Sequence, residues 1–211
     1  MRNSKPPAPI KATGDLAALR RSARRCRACP LWEKATQTVF GEGPENARLF
    51  FIGEQAGDQE DLQGHPFVGP SGKLLERALA DAGVPREQLY ITNVIKHFKF
   101  ELRGKRRLHK RADANEIAAC SQWLERELER VQPRYVVCLG AMAAHVMLGA
   151  DFGLMRERGK WHKLEAGRWC LATVHPSYVL RSRIAGGFED TYAAFVADLK
   201  QVRRPPRPRT P

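Results

Sequence analysis

Arg48 to Gly53 reads RLFFIG, a short unbroken apolar run that ends on glycine. Its length and its aromatic and β-branched content fit a strand buried on both faces, as in a parallel sheet. Three further runs have the same character: Leu89 to Asn93 (LYITN), Tyr135 to Gly140 (YVVCLG) and Trp169 to Val174 (WCLATV). Helical patterns separate them. Ser71 is placed to cap a helix with Leu74, Leu75, Ala78 and Leu79 on one face and Gly83 at its end. Asp113, with Glu116 three residues on, forms a capping box ahead of Ile117, Trp123, Leu124 and Leu128. Further helices are expected over about 14–27, 140–149 and 188–201. Alternating strands and helices specify an α/β fold with right-handed crossovers and helices on both sheet faces. The expectation is a three-layer α/β/α sandwich around a central, mainly parallel, four-stranded sheet.

The chain has 211 residues, 43% hydrophobic and 28% charged, enough for one domain with a real core. Residues 1–12 are rich in Pro and Lys and 203–211 read RRPPRPRTP, so 13–202 is expected to be the folded domain between two flexible basic tails. The net charge of +13 is clustered. It sits in the tails and in the run KRRLHKR, which holds Lys105, Arg106, Arg107, Lys110 and Arg111, and the remaining globule is close to neutral. Clustered cations suit a polyanion, and nucleic acid is the leading partner class; the plainer reading is a set of solvated, solubilising runs. The most apolar stretch, Tyr135 to Ala150, is interrupted by His145 and is too short to span a membrane. No apolar leader core precedes Asp15, so the expected location is the cytoplasm, where five cysteines act as thiols or metal ligands rather than disulfides. A monomer is the default expectation.

In an open parallel sheet, ligands bind beyond the carboxyl ends of the strands. The first strand here runs into Glu54, Gln55 and Asp61; the second ends in Asn93 and continues to Lys96 and His97; the fourth gives His175, Pro176 and Ser177. Taken singly, each has a bland reading as a turn residue, a satisfied histidine or a surface charge. Together they bring carboxylates, amides and a histidine to one rim. Phe67 lies in the Gly- and Pro-rich stretch GHPFVGPSG, where it either stacks on a base or seals the loop onto the sheet. Gly69 to Gly72 (GPSG) resembles a phosphate cradle at a helix N-terminus. Cys26 and Cys29 form Cys-x-x-Cys with no second such pair, and Cys120 on an amphipathic helix is freer to ligate than Cys138 or Cys170, which lie in apolar strands.

These residues resemble the uracil-DNA glycosylase superfamily over about 14–200, in particular its iron–sulfur branch, family four. Gly53 to Asp61 (GEQAGDQED) looks like the family's first motif, His65 to Gly72 (HPFVGPSG) its stacking loop, Thr92 to Lys96 (TNVIK) its uracil-reading segment and His175 to Arg181 (HPSYVLR) its second motif. GEQ and the extra loop Lys105 to His109 (KRRLH) are most similar to the UdgX type, whose members excise uracil and remain covalently attached to DNA through the loop histidine. The resemblance implies a 4Fe-4S cluster held by Cys26, Cys29, His97 and Cys120, with His97 standing where family four usually has cysteine.

It also implies a division of labour. Asn93 reads the Watson–Crick edge of the flipped uracil, Phe67 stacks on its ring, and Gln55 and Asp61 position the nucleotide. His175 stabilises charge developing on O2, Glu54 offsets positive character at C1′, and His109 attacks C1′. Ser71, Lys96, Lys105, Arg106, Arg107, Ser177 and Arg181 are the implied DNA contacts. The implied partner is uracil-containing DNA, single-stranded for preference, because extrusion then costs less. Two alternatives stand beside this reading: a multiple-turnover glycosylase that uses KRRLH only to hold DNA, and a non-catalytic single-strand-binding module.

Overall fold

A computed structural model describes residues 14–206. The tail 1–12 and residues 207–211 lie outside the described residues; within the second tail, the Tyr135 hydroxyl donates to the Pro206 carbonyl (3.2 Å). The chain runs α1 (Leu16–Ala23), β1 (Leu49–Gln55), α2 (Asp58–Gln63), α3 (Pro70–Ala82), β2 (Leu89–Ile95), β3 (Phe100–Arg103), β4 (Arg106–His109), α4 (Ala114–Val131) and β5 (Tyr135–Leu139). It continues with α5 (Ala141–Leu148), α6 (Leu154–Glu157), β6 (Trp161–Lys163), β7 (Trp169–Thr173), α7 (Pro176–Arg181) and α8 (Phe188–Lys200).

The four expected strands are β1, β2, β5 and β7, all mutually parallel, in a sheet ordered β2-β1-β5-β7-β6. The sheet therefore has five strands rather than four. The fifth, β6, is a three-residue antiparallel edge paired to β7, and its sequence, WHK, is too short and polar to signal a strand. Side chains alternate across the sheet. Phe50, Ile52, Val136, Cys138 and Cys170 pack with α1, α4 and α5 on one face; Phe51, Val137, Leu139 and Leu171 pack with α3, α7 and α8 on the other. Burial on both faces is why these strands read as continuous apolar runs.

Local signals account for most helix ends. Asp113 and Glu116 form the expected capping box on α4. The α3 helix starts two residues earlier than expected, with Pro70 in its first turn and Gly69 as the cap, so Ser71 lies inside the helix. All five cysteines are free thiols, and no helix among the described residues is long and apolar enough to cross a membrane.

Two features position the site. The chain leaves β1 toward β2 on one side, while β5 flanks β1 on the other, which opens a crevice beyond the strand ends. The basic run 105–111 is no simple loop: β3 and β4 pair antiparallel, Phe100 opposite His109 and Arg103 opposite Arg106, in a two-stranded hairpin separate from the main sheet.

Candidate active site

Beyond the carboxyl ends of the parallel strands lies a cavity of about 750 Å³. Glu54, Phe67, Asn93, His109 and His175, five residues singled out in the sequence, all line it. Gln55, Ser71, Ser177 and Arg181 share its walls.

Asn93 sits beside Gly53 in the β1–β2 register and is 3% exposed. Its Oδ1 is buried and has no protein partner among the described residues. A buried acceptor left open is costly, so this atom awaits a donor from a ligand. Gly53 makes the arrangement possible, because a Cβ there would overlap both Asn93 Oδ1 and the Phe67 ring. Phe67 is held in the left-handed region at φ 59°, a strained setting for a bulky residue. Gly72 permits it, since a side chain at 72 would run into the Phe67 carbonyl. The Phe67 and His175 rings lie 6.2 Å apart, centroid to centroid.

His175 caps α7. Its Nδ1 accepts the Ser177 backbone N–H (3.1 Å), and Ser177 Oγ lies 2.8 Å from the same nitrogen. An Nδ1 that accepts leaves the proton on Nε2, so the ring offers the cavity a donor. Burial, aided by the Arg181 and His109 charges, pulls the His175 pKa down to about 4, and the ring is neutral at physiological pH. His109, at the end of β4, stays open to solvent. Its pKa is also lowered, chiefly by desolvation, with Glu54 opposing and Arg181 assisting.

Several predicted contacts have other work. Gln55 Nε2 donates to the Lys99 and Lys110 carbonyls (3.3 and 3.2 Å), pinning the two legs of the hairpin. Asp61 is fully buried and off the cavity wall; it accepts from Thr36 N, Thr36 Oγ1 and Arg107 Nη1 (2.9, 2.7 and 2.7 Å), so it secures the hairpin rather than the nucleotide. Arg107 is likewise an internal anchor: Nε donates to Asp58 (2.6 Å), and its guanidinium lies over Phe98 and Phe100. Lys96 is wholly buried against Glu127 and cannot reach phosphate from there. The GPSG cradle already holds an anion of the protein's own, since the Gly69 N–H donates to buried Glu60 (2.8 Å). Lys105 and Arg106 remain exposed at the hairpin tip, and Ser177 and Arg181 remain at the cavity.

The comparison with known families agrees with this geometry: residues 40–200 match the model of the uracil DNA glycosylase superfamily. The chain belongs to the uracil DNA glycosylase superfamily. Relatives include the Type-4 uracil-DNA glycosylases of Archaeoglobus fulgidus (38% identical; 76% of this chain, 80% of the relative) and Thermotoga maritima (36%; 76% and 80%). A third, from Pyrobaculum aerophilum, is 32% identical over 86% of this chain and 93% of its own.

In this superfamily member the residues implied as cluster ligands come from three elements. Cys26 and Cys29 follow α1 and are half-buried, Cys120 is buried on α4, and His97 lies just past β2. Cys26 and Cys29 pack against the core cluster that contains Cys120, and both raise the Cys120 pKa, which burial carries up to about 12. His97 Nδ1 is buried without a hydrogen-bond partner among the described residues, while Nε2 lies 3.0 Å from Thr38 Oγ1. Burial holds this imidazole neutral, with its pKa near 4, leaving a lone pair on the orphan nitrogen. Among the described residues no three His, Cys, Asp or Glu side chains converge on a single metal ion. A cluster differs, because its ligands attach to separate irons; three thiols and an orphan imidazole nitrogen fit that donor set.

Asp58 and Glu60 stand out in the sequence as acids at the end of the first strand, but their bonds to Arg107 and Gly69 do not, nor do the partners of Gln55; Glu127 was missed altogether. Glu127 did leave a signal: an acid seven residues after Cys120, on the apolar stripe of α4.

Proposed function

We propose that this chain excises uracil from DNA, single-stranded for preference, and becomes covalently attached through His109 to C1′ of the sugar left behind. The observation that carries the reading is the open Asn93 Oδ1, buried opposite Phe67 in a cavity that also holds Glu54, His109 and His175. Uracil N3–H is the donor that acceptor lacks. The ring slots against Phe67, and the His175 Nε2–H meets O2.

The chemistry follows from charge. As the C1′–N1 bond breaks, its electron pair moves onto uracil, where the His175 donor stabilises it in a site shielded from water. Positive character develops at C1′, and the Glu54 carboxylate opposes it. A lone pair of neutral His109 then forms the N–C1′ bond. The imidazole gives up its N–H proton to Glu54 or water, and uracil leaves after taking up one. The lowered His109 pKa supports this role, since the ring is deprotonated at neutral pH. The hairpin that carries His109 is fixed by Gln55 and Arg107, which supports a nucleophile held at the cavity rather than a loose DNA-binding loop.

Cys26, Cys29, His97 and Cys120 would hold a 4Fe-4S cluster, which, when bound, braces α1, the exit of β2 and α4 with no part in bond cleavage. Of the implied DNA contacts, Lys105, Arg106 and Arg181 keep exposed cations that can meet phosphate. The test is stoichiometry: with excess uracil-containing oligonucleotide, free uracil measured by chromatography should plateau at one per protein, and no thymine should be released. Continued release beyond that ratio would identify a multiple-turnover enzyme. No release at all would leave only DNA binding.

A further inference from the structure

Asn93 has a reader's chemistry, yet its Oδ1 has no hydrogen-bond partner among the described residues to fix its aim. Besides the packing of Gly53 and Phe67 around it, its orientation comes from the backbone that carries it. Directly behind that backbone lies a charged network in the core. Glu127 and Lys96 are both wholly buried and form an ion pair. Removing two charges from water is expensive, and such a pair is commonly no better for stability than an apolar pair of the same size. Packing alone therefore gives no reason for it.

The hydrogen bonds do. Lys96 Nζ spends its three donors on Glu127 Oε2, Thr92 Oγ1 (2.6 Å) and the Asn93 carbonyl (2.7 Å). Glu127 Oε1 accepts from the Gly41 N–H (2.9 Å) and the Tyr90 hydroxyl (3.0 Å), and the Thr92 hydroxyl bonds the same carboxylate (3.1 and 3.0 Å). The Lys96 N–H donates to Cys120 Sγ (3.2 Å). The Asn93 carbonyl and the side chain of the preceding Thr92 are thus tied, through Lys96 and Glu127, to α4.

We propose that the Lys96–Glu127 pair, bridged by Thr92, is a positioning device for the base reader: it locks the Asn93 backbone so that the open carboxamide oxygen meets uracil N3–H. The proposal rests on the reading of Asn93 as the group that recognises uracil. Neither residue touches substrate, so both act through Asn93.

The test compares two oligonucleotides by fluorescence anisotropy. One carries 2′-fluoro-2′-deoxyuridine, whose fluorine resists glycosidic cleavage; the other carries a tetrahydrofuran spacer with no base. The ratio of their dissociation constants reports base reading alone. The double variant Lys96→Met with Glu127→Leu removes both charges together, and Thr92→Val removes only the bridging hydroxyl. We expect the uracil preference to fall about tenfold in the double variant and a few-fold in Thr92→Val, a loss of one to two hydrogen bonds, with spacer affinity within about twofold of wild type. An unchanged ratio in a folded variant, or equal weakening on both oligonucleotides, overturns the proposal. If the double variant does not fold, the Thr92→Val ratio decides by the same criteria. Asn93→Ala is the control: if it too keeps the full preference, Asn93 does not read the base and the functional reading fails at its root; if it abolishes the preference while the network variants keep it, only the positioning proposal fails.

Discussion

Replacing Arg107 by lysine keeps a positive charge on the hairpin but removes the planar fork. That substitution separates an internal anchor from a DNA contact, because lysine serves phosphate as a point charge but cannot reproduce a two-carboxylate grip. Arg107 spans Asp58 at 2.6 Å and Asp61 at 2.7 Å; its side chain is 19% exposed and that of Asp61 is fully buried. Breaking a fully buried pair costs about 3–5 kcal/mol. Asp61 keeps both Thr36 donors, which places the cost of Arg107→Ala nearer about 2 kcal/mol, or a fall in Tm of about 4–8 °C for a domain of this size. The effect on chemistry is larger: His109 lies two residues on in the same strand, and a displacement of about 1 Å slows a positioned reaction by about a hundredfold. Single-turnover adduct formation, measured at saturating DNA, should slow by about this factor in Arg107→Ala and substantially in Arg107→Lys. The salt dependence of DNA binding should be unchanged in both. The reasoning is refuted if lysine restores the wild-type rate, or if alanine lowers the slope of log K against log salt by about one while the rate from the bound complex is intact.

Three further outcomes are expected. Gly53→Ala drives a methyl group into Asn93 Oδ1 and the Phe67 ring, so uracil excision should fall about a hundredfold or more while circular dichroism still shows the native fold. Adduct formation requires neutral His109, whose pKa is lowered, so the acid limb of its pH–rate profile should lie below that of an ordinary imidazole; Arg181→Gln removes a cation that depresses this pKa and should shift that limb to higher pH. Purified Cys120→Ser and His97→Ala variants should carry less iron and acid-labile sulfide per chain than wild type, by metal analysis.

Much of the fold was legible because parallel strands buried on both faces leave apolar runs that stand out. RLFFIG, LYITN, YVVCLG and WCLATV are β1, β2, β5 and β7. The capping box at Asp113 declared α4 in the same way. What escaped was short or long-range. The edge strand β6 has three residues and needs β7 to exist. The β3–β4 hairpin is rich in cations, so charge concealed its pairing.

The site divides along the same line. Glu54, Asn93 and His175 stood out together by their places at the strand ends, and they do line one cavity; Phe67 was singled out with its stacking and sealing roles unresolved, and it is both buried and on the cavity wall. Residues whose role depends on a distant partner were misassigned. Arg107 and Lys96 read as DNA contacts because cations suit phosphate, and Asp61 as a nucleotide contact by resemblance; all three are held by groups of the protein itself. Their oppositely charged partners lie 31 to 49 positions away, and only the folded chain brings them together.

The central claim, attachment through His109, is tested most directly on a denaturing gel. Protein is incubated with a labelled single-stranded oligonucleotide that carries one uracil, beside a thymine control and the His109→Ser variant. The account predicts a shifted band that survives heat and detergent and requires both uracil and His109, with the serine variant instead releasing uracil to leave alkali-labile DNA. A wild-type lane showing alkali-labile product and no shifted band, or a serine variant that still crosslinks, would contradict it.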